Sequence, residues 1–106
     1  DRIMAGRLPK VGRLSLSPML SDKGKLMGDF SISRLAEQKF WLTASYASQS
    51  FHMRWFERNI LPDEDVSLQN ISLEYIGFQI AGPNSRELLS RVTKEDVSNS
   101  RLRLCR

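Results

Sequence analysis

The stretch that decides the fold is Met19-Leu20-Ser21-Asp22-Lys23-Gly24-Lys25-Leu26-Met27-Gly28-Asp29-Phe30-Ser31-Ile32. It reads as the end of one strand, a tight turn around Asp22, Lys23 and Gly24, and a second strand. Glycine suits such a turn because it takes positive φ without steric cost. Turn chemistry does not account for Asp29. That residue falls one position out of phase with Phe30 and Ile32, so its side chain points to the opposite sheet face. A carboxylate in mid-strand costs stability unless solvent reaches it or something uses it.

Working outward, residues 13–17 alternate polar and apolar, the period of a half-buried strand. A second strand is expected over 25–35, and a third over 40–45 after the polar turn at 36–39. Residues 48–60 follow helical spacing, with Met53, Phe56 and Ile60 on one side and Phe51 and Trp55 adjoining. Pro62 and the acids at 63–65 stop that helix. Two further strands are predicted at 66–72 and 76–81. A second helix begins at Pro83, which suits a first helical turn, and buries Leu88, Leu89 and Val92.

The order is β-β-β-α-β-β-α. Two short helices cannot cover both faces of a five-stranded sheet. The expected fold is therefore α+β, a two-layer ferredoxin-like sandwich in which an antiparallel sheet carries two helices on one face. Its buried face presents Phe30, Ile32, Phe40, Leu42, Leu68, Phe78 and Ile80. Its open face presents Asp29, Ser31, Ser33, Trp41, Thr43 and Ser45, continued by Gly77, Gln79 and Ala81.

A chain of 106 residues, 41% hydrophobic and 26% charged, has the composition of one ordinary globular domain. No apolar run approaches the ~20 residues of a membrane helix. The net charge of +4 is concentrated at the ends. Residues 1–13 carry four Lys or Arg against one acid, and 99–106 carry three against none, leaving nine basic and eleven acidic residues between. The folded part is not a basic surface, which argues against a nucleic-acid binder. The organisation expected is a basic N-terminal extension over 1–12, a folded domain over 13–98 and a basic tail over 99–106. Both ends read as solvated or as contacts to the rest of a parent protein. One cysteine, Cys105, forms no internal disulfide and no metal site. His52 has no ligand at metal spacing and reads as a surface histidine.

The 19–32 segment, taken with Ile80-Ala81-Gly82-Pro83-Asn84-Ser85-Arg86, resembles the folate-binding aminomethyltransferase module. That module occurs in the glycine cleavage T protein and in dimethylglycine and sarcosine dehydrogenases and oxidases. Arg54-Trp55-Phe56 and Leu89-Ser90-Arg91-Val92-Thr93-Lys94-Glu95-Asp96-Val97-Ser98 extend the likeness across roughly residues 8–98. The resemblance implies a fragment of a folate-dependent one-carbon enzyme that supplies part of a tetrahydrofolate site where 5,10-methylenetetrahydrofolate forms. It implies Asp29 as the catalytic carboxylate, with Leu16, Met19, Ser31 and Ser45 at the cofactor and no metal.

The tetrahydrofolate would be shared with the remaining subdomains of the parent chain, and FAD would belong only to another domain of that parent. No Gly-x-Gly-x-x-Gly occurs here, and the fragment alone is expected to be inactive. The resemblance also implies a cytoplasmic location, or the mitochondrial matrix in a eukaryote, without nucleic-acid or membrane partners. T proteins usually carry two adjacent acids after the glycine turn, whereas this chain has Gly28-Asp29. That departure favours the dehydrogenase and oxidase branch. Two other readings stay open on residues alone. One is an RNA-recognition-like module with an open sheet face, and the other is a dimerisation or docking domain anchored by Trp41.

Overall fold

The computed structural model describes residues 2–101. Cys105 and the end of the basic 99–106 tail lie outside the described residues. Two compact units meet in sequence at Leu73 and Glu74, and each is taken by itself.

The first unit is built on an antiparallel sheet in the order β1-β2-β3, with β1 at Leu14–Leu20, β2 at Leu26–Ala36 and β3 at Lys39–Thr43. The expected turn joins β1 to β2. Ser21 N–H donates to Lys25 O at 2.8 Å and Gly24 N–H donates to Ser21 O at 2.9 Å, with Gly24 at φ 70°. A bulge follows at Met19/Leu20, where Met19 pairs with Gly28 but Leu20 pairs with Leu26.

The N-terminal residues are not a solvated tail. Met4 bridges to Met19, Ala5 N–H donates to Pro18 O at 2.9 Å, and Leu20 N–H donates to Ile3 O at 2.9 Å. This segment covers the outer edge of β1, which would otherwise present unpaired backbone groups. Gly6 N–H donates to Ser17 Oγ at 2.8 Å, and a Cβ at Gly6 would lie only 2.7 Å from that oxygen. Ser17 is fully buried and satisfied by this bond.

The alternation at 13–17 gives the right period with the leucines outward. Ser17 and Met19 face the core, while Leu14 and Leu16 face out. The core itself is Met19, Phe30 and Ile32, with Ile3, Met4, Phe40, Trp55 and Phe56 packed around it. Leu42, expected inside, is exposed, and Phe40 is half-buried.

A single turn of 3-10 helix at Tyr46–Ser48 leads into α1, Gln49–Asn59. This matches the predicted 48–60 helix, and Met53, Phe56 and Ile60 are half-buried as expected. His52, Trp55, Phe56 and Asn59 are at least half-buried, and Phe51 is exposed. His52 is the one buried residue of the helix at 6% exposure, not a surface histidine. The correction has a simple cause. The apolar residues wrap broadly around this helix, so the pattern fixes the period better than the edges of the buried side.

Arg2 reaches the C-terminal end of α1. Its guanidinium donates to Asn59 O and forms a two-pronged pair with Glu64, one prong at 2.9 Å. Glu64 also accepts from Leu61 N–H at 2.9 Å. A cation at this end complements the helix dipole.

Residues 66–72 form no strand, contrary to the alternation there. Local bonds claim the backbone instead: Val66 N–H donates to Glu64 O at 3.1 Å, and Ser72 N–H donates to Asn70 Oδ1 at 3.0 Å. Asn70 also donates to Gln49 Oε1 at 3.0 Å. Such short-range side-chain bonds compete with ladder formation.

In the second unit, residues 76–81 likewise have no ladder, and Phe78 is 85% exposed. Alternation marks which side chains share a face but supplies no neighbour to pair with. The only helix described there is α2, Ser85–Val92, which starts two residues after Pro83. Gly82 at φ 118° makes the turn, and Ser85 N–H donates to Gly82 O at 3.1 Å. Leu88 and Val92, expected to be buried, are exposed, and Leu89 is half-buried. The molecule is thus a small α+β chain with a three-stranded antiparallel sheet and two helices. No described helix is long and apolar enough to cross a membrane.

These placements predict opposite outcomes for two phenylalanines. Phe30→Ala should cost about 3–5 kcal/mol in denaturant unfolding, as for other buried aromatics. Phe78→Ala should stay within about 0.5 kcal/mol.

The Arg2 pair predicts a pH dependence. Its hydrogen bond to Glu64, helped by Leu61 N–H, lowers that carboxyl from 4.5 to about 2. A depressed carboxyl stabilises the fold fully above its unfolded pKa and loses that stabilisation as pH falls through the folded value. Stability should therefore decline as pH falls from 4.5 toward 2, less steeply in high salt because the pair is exposed. Glu64→Gln should flatten this part of the profile.

Candidate functional site

The face of the sheet opposite α1 is organised in rows set by the strand register. Leu14, Ser33 and Trp41 lie side by side across the three strands. Leu16, Ser31 and Thr43 form the next row, and Pro18 and Asp29 the one after. The ladder ends at Thr43. Continuing its register by two residues brings Ser45 level with Asp29, and Ser45 is still extended, at φ −60° and ψ 128°, before the 3-10 turn.

Four of the five residues singled out from the sequence therefore belong to one end of one face. Leu16 is 73% exposed and directly opposite Ser31, Asp29 is two residues from Ser31 along β2, and Ser45 is exposed at the mouth of β3. Met19 does not join them. It faces the other way and is fully buried against Phe30 and Ile32.

The outward leucines are the feature that sequence reasoning placed least well. Leu14 was not counted on this face, although the phase of Asp29 against Phe30 and the hairpin register together imply it. Leu14, Leu16 and Trp41 together give the solvent side of this small sheet an apolar surface. Among the described residues the Asp29 carboxylate makes no hydrogen bond and no ion pair. It is free to meet a ligand or a proton at the edge of an apolar plate lined by hydroxyls. Ser31 is half-buried in the middle of the face and offers one donor and two acceptor lone pairs. No group of three His, Cys, Asp or Glu among the described residues is placed to hold a metal ion.

A second concavity of about 380 Å³ lies beside the end of α1, with Ile3, Phe56, Ile60 and Leu68 as apolar walls and the Arg2–Glu64 pair at its rim. It does not share residues with the open face.

A small antiparallel sheet backed by a helix, with a carboxylate at the edge of an apolar open face, defines a small α+β domain. The chain belongs to the GCVT N-terminal domain family, whose model matches residues 1–106. It is similar to human mitochondrial dimethylglycine dehydrogenase, 32% identical over 100 residues covering 93% of this chain and 12% of that protein. It is similar also to an aminomethyltransferase of Natranaerobius thermophilus, 33% identical over 84 residues covering 79% of this chain and 22% of that protein. A third relative is the sarcosine oxidase subunit alpha of Rhizobium meliloti, 32% identical over 97 residues covering 89% of this chain and 10% of that protein. This chain spans less than a quarter of the length of each of these curated relatives. No solved structure matches the chain.

The two faces of β1 give a direct test. Leu16→Ala should change unfolding free energy by no more than about 0.5 kcal/mol, as for exposed positions generally. Met19→Ala should cost about 2–5 kcal/mol. Equal losses at the two positions would show that β1 does not have the facing described.

Proposed function

We propose that this chain supplies one wall of a tetrahydrofolate site in a folate-dependent one-carbon enzyme of the dimethylglycine dehydrogenase, sarcosine oxidase or aminomethyltransferase type. The observation that carries this reading is the grouping of Leu16, Ser31 and Asp29 on an open face whose leucines point outward while Ser17 points in. A flat, partly apolar ring system with polar edges matches such a surface: the leucines take its face and Ser31 and Ser45 take its edge. Met19 acts from the core, holding β1 in register behind Leu16 and Pro18.

Tetrahydrofolate, when bound, would supply two amine nitrogens that take the carbon of an iminium as a methylene bridge, while the donor C–N bond breaks and its nitrogen leaves as an amine carrying one of the two displaced protons. Forming the new C–N bond leaves a proton on the attacking nitrogen. Asp29 would accept that proton, which is general-base work suited to a carboxylate at the edge of an apolar surface. The hydroxyl of Ser31 orients the same edge of the ligand.

The rest of the parent protein completes the site. Residues 13–98 form the folate-binding subdomain, and the other subdomains close over the open face. In that setting the apolar alternation at 66–72 and 76–81 finds ladder partners, and the sheet approaches the two-layer ferredoxin-like arrangement. FAD belongs to another domain, and the amine is chosen there. The location is the mitochondrial matrix or the cytoplasm, according to the parent.

The test is Asp29→Asn in the full-length enzyme. Folate affinity should stay within about tenfold, or ~1.4 kcal/mol. Formation of methylenetetrahydrofolate should fall much further, because a proton acceptor matters in the transition state more than in the bound ground state. Undiminished product formation would show that Asp29 is not the working carboxylate.

A further inference from the structure

His52 sits on the inner face of the sheet, behind the residue to which chemistry has been assigned. Its imidazole lies 4.7 Å from the ring of Phe30 and 5.8 Å from that of Phe51, tilted to both. It also rests on bare main chain. A Cβ built on Gly28 would come within 2.5 Å of His52 Nε2 and 2.9 Å of Phe30 Cε2. Real Cβ atoms do not approach neighbours so closely, so glycine at 28 is what lets the ring settle there. Among the described residues the imidazole makes no hydrogen bond. It is held by packing alone, and it grips residues 28 and 30, one on each side of Asp29.

The hydrogen-bond ladder thins on the β3 side of Asp29. Pro18 turns its backbone to the N-terminal segment, where its carbonyl accepts Ala5 N–H at 2.9 Å, so Asp29 and Pro18 are a non-bonded pair of the ladder and Asp29 turns its own N–H and C=O toward the β3 side. Immediately beyond Gly28 the β1 register breaks at the bulge. On the other side, pairing with β3 ends at Ser31 and Thr43. Asp29 therefore has no ladder partner on the β3 side, and its backbone is held through Gly28 and Phe30, which pair with β1 and rest on His52 of α1.

We propose that His52 is a positioning residue: through its contact with Gly28 and Phe30 it fixes the backbone around Asp29 and so aims the carboxylate on the opposite face. The link to catalysis rests on the reading of Asp29 given above, but the physical link between His52 and Asp29 does not.

The experiment compares His52→Ala, Gly28→Ala and the double variant in the 106-residue chain by amide hydrogen exchange and by the side-chain carbon resonance of Asp29. Each single change should speed exchange at residues 28 and 30 by about tenfold relative to Ser33, a local opening and not a global one. Each should also move the Asp29 carboxyl resonance. The double variant should be milder than the sum, because the methyl at 28 enters space the ring has left. Should Gly28→Ala alone not fold, the double variant and His52→Ala still carry the comparison.

Exchange that accelerates evenly along β2, or an Asp29 resonance that stays in place, would make His52 an ordinary core residue and overturn the proposal. The full-length enzyme separates the two readings. With both correct, His52→Ala lowers kcat for methylenetetrahydrofolate formation while the KM for folate holds. Normal product formation by Asp29→Asn, together with local loosening in His52→Ala, would leave the positioning intact and remove only the catalytic role.

Discussion

The hydroxyl of Ser17 holds the phase of the whole sheet. It is buried without exposure and accepts the Gly6 N–H, a bond possible because Gly6 brings no side chain into the space. A one-residue slip of β1 would turn Ser17 to solvent, drive Leu16 inward and leave the Gly6 donor unsatisfied. The same bond fastens the N-terminal segment along the edge of β1, so that edge cannot recruit a foreign strand. Everything on the open face follows from this register. Leu14 and Leu16 stand beside Ser33 and Ser31, and Pro18 stands beside Asp29, because Ser17 and Met19 are turned the other way.

The parts of this arrangement written in local chemistry were legible in the sequence. Gly24 announced the hairpin, the phase of Asp29 against Phe30 announced its face, and the spacing at 48–60 announced α1 to within a residue at each end. The parts that depend on distant partners were not. Serines inside and leucines outside reverse the usual reading of an alternating strand, and only the donor at Gly6 explains the reversal. His52 looked like a surface residue because nothing near it in sequence shows that a glycine on another element would receive its ring. Residues 66–72 and 76–81 alternate as strands do. Asn70 captures local backbone in the first, and neither has a ladder partner among the described residues.

The core is correspondingly modest. Three buried apolar side chains, with a ring of half-buried ones, hold the first unit together, and the second unit has no fully buried side chain among its described residues. Ile76, Phe78 and Val92 in the second unit and Leu16 in the first are all largely exposed. Burying such groups is worth about 25 cal/mol per Å² of apolar surface, a driving force left available for association with other parts of a larger protein.

The close approach of the imidazole to Gly28 also bears on how relatives of this chain should be compared. Positions 28 and 52 are far apart in sequence but share one small volume, so they cannot vary independently. A relative that places a carboxylate at 28 needs a smaller or differently turned residue at 52, and one that keeps an aromatic or imidazole ring at 52 is confined to glycine at 28. The two positions should therefore change together in an alignment of relatives, the size of one set against the size of the other.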